Sequence, residues 1–183
     1  MCWGTNKKGE LGDGKSKDSF DPVPVSGLHT GVKSIVSGDH HVCALTNGGA
    51  VKCWGDNGVG QLGDGTTMLR RTPVEVAGRG FGVSAIAAGC NHTCAIVSGD
   101  VYCWGENRAF QLGDTTNKSR TKSTKVVGLD RGIISVEAGG EHTCALTASG
   151  APRCWGSNAY GRLGDGTNAP APRAVSVVGL PIQ

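Results

Sequence analysis

Eight cysteines are the densest chemistry in this 183-residue chain, and six of them form three evenly built pairs. Cys43 and Cys53, Cys94 and Cys103, and Cys144 and Cys154 are separated by 10, 9 and 10 residues. Thiols at such spacings either bind a soft metal or oxidise to disulfides. The metal reading has one candidate set. Cys90, His92 and Cys94 alternate, so along one strand they would share a face, with Cys103 opposite Cys94, as in a three-cysteine, one-histidine zinc site. The other two pairs have Asp39 or Gly140 in the place of Cys90 and no further thiol nearby, so zinc is the poorer reading.

The disulfide reading rests on the turns between the paired cysteines. Asn47-Gly48-Gly49 and Ala148-Ser149-Gly150 suit three-residue hairpin loops, whereas Ser98-Gly99 suits a two-residue loop. Folding each hairpin about its own turn brings the cysteines directly opposite in all three cases. Opposed residues of an antiparallel pair have Cα atoms ~4.5–5.5 Å apart, within the reach of a disulfide. A length change that preserves opposition argues that the side chains meet. Three cross-strand disulfides are expected, which imply an oxidising compartment and leave Cys2 and Cys90 unassigned.

The remaining chemistry is weaker. A segment of the form Asn-x-x-Gly-x-Leu-Gly-Asp resembles a calcium loop in composition, but each copy offers one regular carboxylate: Asp13, Asp64, Asp114 or Asp165. Calcium needs several converging oxygens, so a turn in which the aspartate bonds nearby backbone N–H groups is the simpler account. His41, His92 and His142 recur with or without Cys90, which points to a structural role such as bonding to backbone. No nucleophile–base pair recurs. No catalytic residue, cofactor or metal is assigned.

These residues sit on a repeat. Cys-Trp-Gly occurs at Cys2, Cys53, Cys103 and Cys154, and Leu-Gly-Asp follows eight residues after each tryptophan. A period near 50 residues marks one supersecondary unit copied several times. Each period reads as four short strands. The first is Val32–Ser37, matched by Val83–Ala88 and Ile133–Ala138, and each runs into glycine. A second strand carries His-x-Cys-Ala (41–45, 92–96, 142–146), and a third ends in Cys-Trp-Gly. The fourth (22–25, 73–76, 123–126, 174–177) carries prolines in two of the four copies, which suits a sheet edge where a missing N–H does no harm. Four-stranded units repeated about an axis describe an all-β propeller.

With a net charge of +3 and 38% hydrophobic residues, the chain is globular without a strong electrostatic bias. The one basic cluster, Lys118, Arg120, Lys122 and Lys125, lacks the broad face and stacking aromatics of a nucleic-acid binder. No apolar run approaches a membrane span. Met1 is followed at once by the first Cys-Trp-Gly, so no secretion leader is expected within residues 1–183.

Taken together, Cys-Trp-Gly-x-Asn-x-x-Gly-x-Leu-Gly-Asp-Gly-Thr, Pro-x-x-Val and Ala-Gly-x-x-His-Thr-Cys-Ala-Leu resemble the repeat of the regulator of chromosome condensation family over nearly the whole chain. The resemblance implies a seven-bladed propeller, of which residues 1–183 would be a single segment. Its repeat units are 2–52, 53–102, 103–153 and a partial 154–183, about three and a half blades. The cysteine-bearing form is similar to repeats of secreted or surface bacterial proteins. The half unit at the start lacks a partner for Cys2, so a longer parent chain is expected to supply the missing blades.

The family hosts several functions. Light-sensing members carry tryptophan where this chain has Asp39, Cys90 and Gly140. Exchange of nucleotide on a small GTPase, or a chromatin-associated role, is implied by family analogy, but no copy here carries an inserted wedge. The favoured expectation is a non-catalytic scaffold, extracellular or on the cell surface, that binds a protein or surface ligand. Residues that break the repeat are the candidates for its binding loops: Met68, Leu69, Arg70 and Arg71, and Lys118, Arg120, Lys122 and Lys125. Phe81, Phe110 and Tyr160 also break the repeat without forming a recognisable site.

Overall fold

A computed structural model describes residues 1–80 and 82–179. Phe81, and residues 180–183 where the next first strand was expected, lie outside the described residues. The strands form one two-stranded and three four-stranded antiparallel sheets. The first sheet pairs β1 (Cys2–Gly4) with β2 (Ser19–Val23). The next holds β3 (Val32–Ser37), β4 (His41–Thr46), β5 (Val51–Gly55) and β6 (Arg70–Glu75), in that order. It is followed by β7 (Val83–Ala88), β8 (His92–Val97), β9 (Asp100–Gly105) and β10 (Arg120–Lys125). The last comprises β11 (Ile133–Ala138), β12 (His142–Thr147), β13 (Pro152–Gly156) and β14 (Ala171–Ser176). The chain is thus three and a half up-and-down blades. The one helical piece among the described residues is a 3-10 turn at Ala159–Gly161, so no helix there is long and apolar enough to cross a membrane.

Within each blade the sequence explains the pairing. The Cys-Trp-Gly strand is apolar on both faces because it lies inside the sheet and between neighbouring blades, and Trp54, Trp104 and Trp155 are wholly buried. Trp104 packs with Leu62, Val76 and the Cys43–Cys53 pair of the preceding blade, and Trp155 packs with Leu112 and Val126 in the same way. Trp3, in the half blade, is 64% exposed by contrast. The outer strands β2, β6, β10 and β14 each occupy a sheet edge, where Pro22, Pro73 and Pro172 interrupt no ladder.

Two boundaries differ from the sequence reading. The outer strands begin about three residues earlier, at Ser19, Arg70, Arg120 and Ala171. The reason is the tightness of the Leu-Gly-Asp loop, which returns the chain early enough for Arg70 to pair with Gly55 and Arg120 with Gly105. Cys90, in turn, lies in the bend before β8 rather than along it.

The glycine of Leu-Gly-Asp is required twice over. Gly63 has φ +69°, a left-handed conformation, and a Cβ placed there would stand 2.7 Å from Trp104 Nε1. Gly63→Ala is therefore expected to destabilise the protein by roughly 2 kcal/mol, from the backbone penalty plus displacement of the indole. Chemical denaturation read through tryptophan fluorescence checks this; an unchanged midpoint would show that the close approach is not energetically coupled to the fold.

Candidate functional site

Three cysteine pairs stand directly opposite across their hairpins: Cys43 and Cys53, Cys94 and Cys103, Cys144 and Cys154. Each pair is joined as a disulfide with Cα atoms 4.1 Å apart. The turns account for the shared register despite the unequal spacing. Gly49 and Gly150 take φ near +80° in the longer loops, while Ser98 and Gly99 are both left-handed in the two-residue loop. The proposed zinc donors are consequently dispersed. Cys94 and Cys103 are bonded to each other, His92 faces a threonine, and Cys90 is a free thiol.

Cys90 instead belongs to the axial rim. Its N–H donates to the Gly140 carbonyl and its own carbonyl accepts from Asp39 N–H, so the bends of successive blades are stitched together. Partial burial, together with the bond the thiol donates to Asp39 and the charges of Asp39, Glu141 and Glu106, holds the thiol above its ordinary value. This cysteine is a poor nucleophile.

His41 and His92 do not bond to backbone as the sequence suggested; each reaches across a blade boundary to a threonine. His41 Nε2 lies 2.9 Å from Thr93 Oγ1, and His92 Nε2 lies 2.9 Å from Thr143 Oγ1. Thr93 Oγ1 donates to the Gln61 carbonyl at 2.9 Å, and Thr143 Oγ1 to that of Gln111 at 3.1 Å. The same two carbonyls accept the indole N–H of Trp104 and Trp155. Because a carbonyl can only accept, the threonine proton is committed to it. The imidazole Nε2 must therefore carry the other proton, and Nδ1 is left bare and without a partner. In the second blade Val42 replaces the threonine, and Trp54 alone donates to the corresponding carbonyl of Glu10.

Burial pushes His41 down to about 4, against the pull of Asp39 and Asp56, and His92 down to about 3, assisted by repulsion from His41 and His142. These rings are neutral structural elements at physiological pH.

The Asn-x-x-Gly-x-Leu-Gly-Asp loop closes on itself. Asn57 Oδ1 accepts Leu62 N–H, and its Nδ2 donates to Asp64 Oδ1 and to the Thr66 and Met68 carbonyls. Asp64 also accepts the N–H and hydroxyl of Thr66, and Arg70 binds its other oxygen at 2.8 Å. Asn107, Asp114, Thr116 and Arg120 repeat the arrangement. Burial raises both aspartates, but these donors outweigh it and hold them below the ordinary carboxylate value. The oxygens a cation would need are already engaged by the chain's own N–H and O–H groups. Asn57, Asn107 and Asn158 were missed as organisers of these loops, although an asparagine three residues after every tryptophan was the available signal.

The candidate binding residues are divided by this geometry. Arg70 and Arg120 are anchored to Asp64 and Asp114, and lie in β6 and β10 rather than in loops, as do Arg71, Lys122 and Lys125. Lys125 pairs with Asp100 at 3.1 Å. Met68, Arg71, Lys118 and Lys122 are exposed, and Leu69 is half-buried.

The regulator of chromosome condensation (RCC1) repeat matches residues 2–45, 49–96 and 98–146, and a second model of that repeat matches 32–61 and 133–162. The chain belongs to the RCC1 repeat family. Among its relatives, the ultraviolet-B receptor UVR8 of Arabidopsis thaliana is 42% identical over 96 residues, 51% of this chain and 22% of that protein. The human E3 ubiquitin-protein ligase HERC2 is 40% identical over 95 residues, 51% of this chain and 2% of its own length. The solved structure of Prp20p from Saccharomyces cerevisiae superposes with a TM-score of 0.83 at 26% identity, covering 97% of this chain and 45% of that one. The RCC1-repeat chain described here thus spans less than half the length of these relatives.

Two expectations follow from the site chemistry. The unfolded chain protonates its histidines near 6.5, whereas His41 and His92 resist protonation until about 4 and 3. Between those values the unfolded state binds the extra protons, so stability is complete above pH 6.5 and declines as the pH falls toward 4. The loss is on the order of 1.4 kcal/mol per unit of depression at each ring. The aspartates, whose values lie below 3.8, contribute their own loss only at lower pH. Urea denaturation at pH 7, 5.5 and 4.5 measures this, and a flat profile would remove the buried-imidazole account.

For the cysteines, alkylation of the unfolded native protein without reductant should label two thiols, Cys2 and Cys90, and after reduction all eight. Eight labelled thiols without reductant would eliminate the argument for an oxidising compartment.

Proposed function

We propose that this RCC1-repeat segment is a non-catalytic scaffold that holds a protein or surface ligand outside the reducing cytosol. The observation that carries the reading is how the recurring polar residues are employed. His41, His92, Thr93, Thr143, Asn57 and Asp64 are each committed to a bond within or between blades. With these recurring side chains engaged, chemistry that varies from blade to blade falls to the outer strands and the loops that lead into them. Met68, Leu69, Arg71, Lys118 and Lys122 occupy that region. The disulfides support a compartment in which cystine persists, extracellular or at a cell surface.

Prp20p, described with binding to Gsp1p and histones, supports protein binding on this fold and leaves nucleotide exchange as the competing reading. Two measurements separate them. Met68→Glu and Lys118→Glu should each weaken capture of a cognate extracellular protein at least tenfold with unchanged thermal unfolding. The disulfide-bonded protein should leave the rate of nucleotide release from GDP-loaded small GTPases unaltered. A tenfold acceleration of release would replace the scaffold reading with exchange.

A further inference from the structure

The four outer strands are not equivalent. Aligned on their shared register, Pro22 of β2 and Pro73 of β6 occupy the place that Ser123 holds in β10, while β14 carries Pro172 two positions earlier in the chain segment that pairs with Gly156. Each of the other three edges therefore contains a proline, and β10 contains none. Proline has no N–H to donate, so at the matching place in two sister blades no backbone donor is needed by the ladder. At Ser123 the N–H is retained and bonds to no residue of β9 in the shifted register between Arg120 and Thr124, on a six-residue strand at the outer edge of its sheet. An edge strand that keeps this N–H can template one more strand, while its lysines and the register shift between Arg120 and Thr124 guard it against pairing with its own kind.

The side chains around that edge define what it takes. Lys118 and Lys122 are exposed, and neither forms an ion pair among the described residues. The stem of Lys122 lies over Gly65 of the preceding blade, whose N–H donates to the Thr121 carbonyl, so the start of the edge is held in place by its neighbour. Arg71 and Arg173, exposed on the flanking outer strands, extend the positive charge to both sides. A second copy of β10 would be repelled by these like charges, which excludes self-pairing. An extended segment bearing carboxylates on one face is attracted.

We propose that β10 is a docking edge for an acidic, extended peptide segment of a partner protein, added as a fifth strand to the third blade. The inference rests on the scaffold reading and names its partner chemistry. Backbone bonds from Ser123 and its neighbours supply the pairing, while Lys118 and Lys122 select for alternating acidic side chains.

The test uses a fluorescein-labelled octapeptide of alternating glutamate and valine, read by anisotropy. Ser123→Pro is the decisive variant, because blades one and two already tolerate proline at that place. It should weaken binding at least tenfold with unchanged thermal unfolding, as should Lys122→Glu. The same peptide N-methylated on alternate amides should not bind. In the unaltered protein, addition of the octapeptide should slow hydrogen exchange at the Ser123 amide, which keeps the idea testable if the variant folds poorly. Equal affinity of Ser123→Pro, or of the N-methylated peptide, would reduce the contact to charge alone and overturn the proposal. So would binding of a single-stranded oligonucleotide that Ser123→Pro leaves unaffected. Absence of octapeptide binding to the unaltered protein would also overturn it, while capture through Met68 and Lys118 would still stand or fall by its own measurement.

Discussion

A single carbonyl oxygen between blades organises much of this structure. The Gln61 carbonyl accepts both the hydroxyl of Thr93 and the indole N–H of Trp104, and that hydroxyl in turn accepts from His41. Two side chains of one blade therefore converge on one acceptor from the Leu-Gly-Asp loop of the preceding blade, and His41 of that blade joins them through the threonine. Every group is buried, so each bond forms where an unpaired partner would cost about 1–3 kcal/mol. The Gln111 carbonyl repeats the arrangement with Thr143, Trp155 and His92. Blade-to-blade geometry thus follows from a directional polar contact, with hydrophobic packing of the tryptophan around it.

The surrounding features serve that contact. The tryptophan reaches the carbonyl because the neighbouring glycine has no Cβ to obstruct the ring. The carbonyl is held in position because Asn57 and Asp64 tie the loop closed around Leu62. The disulfide crosslinks the two strands that carry the histidine and the tryptophan, and so fixes their spacing within the blade. Where Val42 replaces threonine the junction is reduced to one donor, which makes the first blade boundary chemically unlike the next two. With the repeated residues engaged inside, differences between blades are displaced to the outer strands, where a binding protein can vary without disturbing its frame.

Much of this was legible in the chain. The Cys-Trp-Gly period gave the blades, and the unequal turns Asn47-Gly48-Gly49 and Ser98-Gly99 gave the opposition of cysteines, because hairpin register follows directly from local turn geometry. The roles of Thr93, Thr143 and the loop carbonyls were not legible. They join residues 32 or more positions apart, and sequence spacing carries no information about which atom meets which across a blade boundary. Arg70 and Arg120 illustrate the same limit: lying in variable segments, they looked available for binding, yet each neutralises an aspartate six positions away.

The sequence by itself determined the unit, its four strands, its crosslinked hairpin and its edge prolines, because all of these are set by local periodicity and turn chemistry. Tertiary structure decided how one unit grips the next and which polar residues are thereby consumed. That decision depends on three-dimensional convergence of distant groups in a water-free boundary, where the direction of each donor, and not its position in the chain, selects its partner.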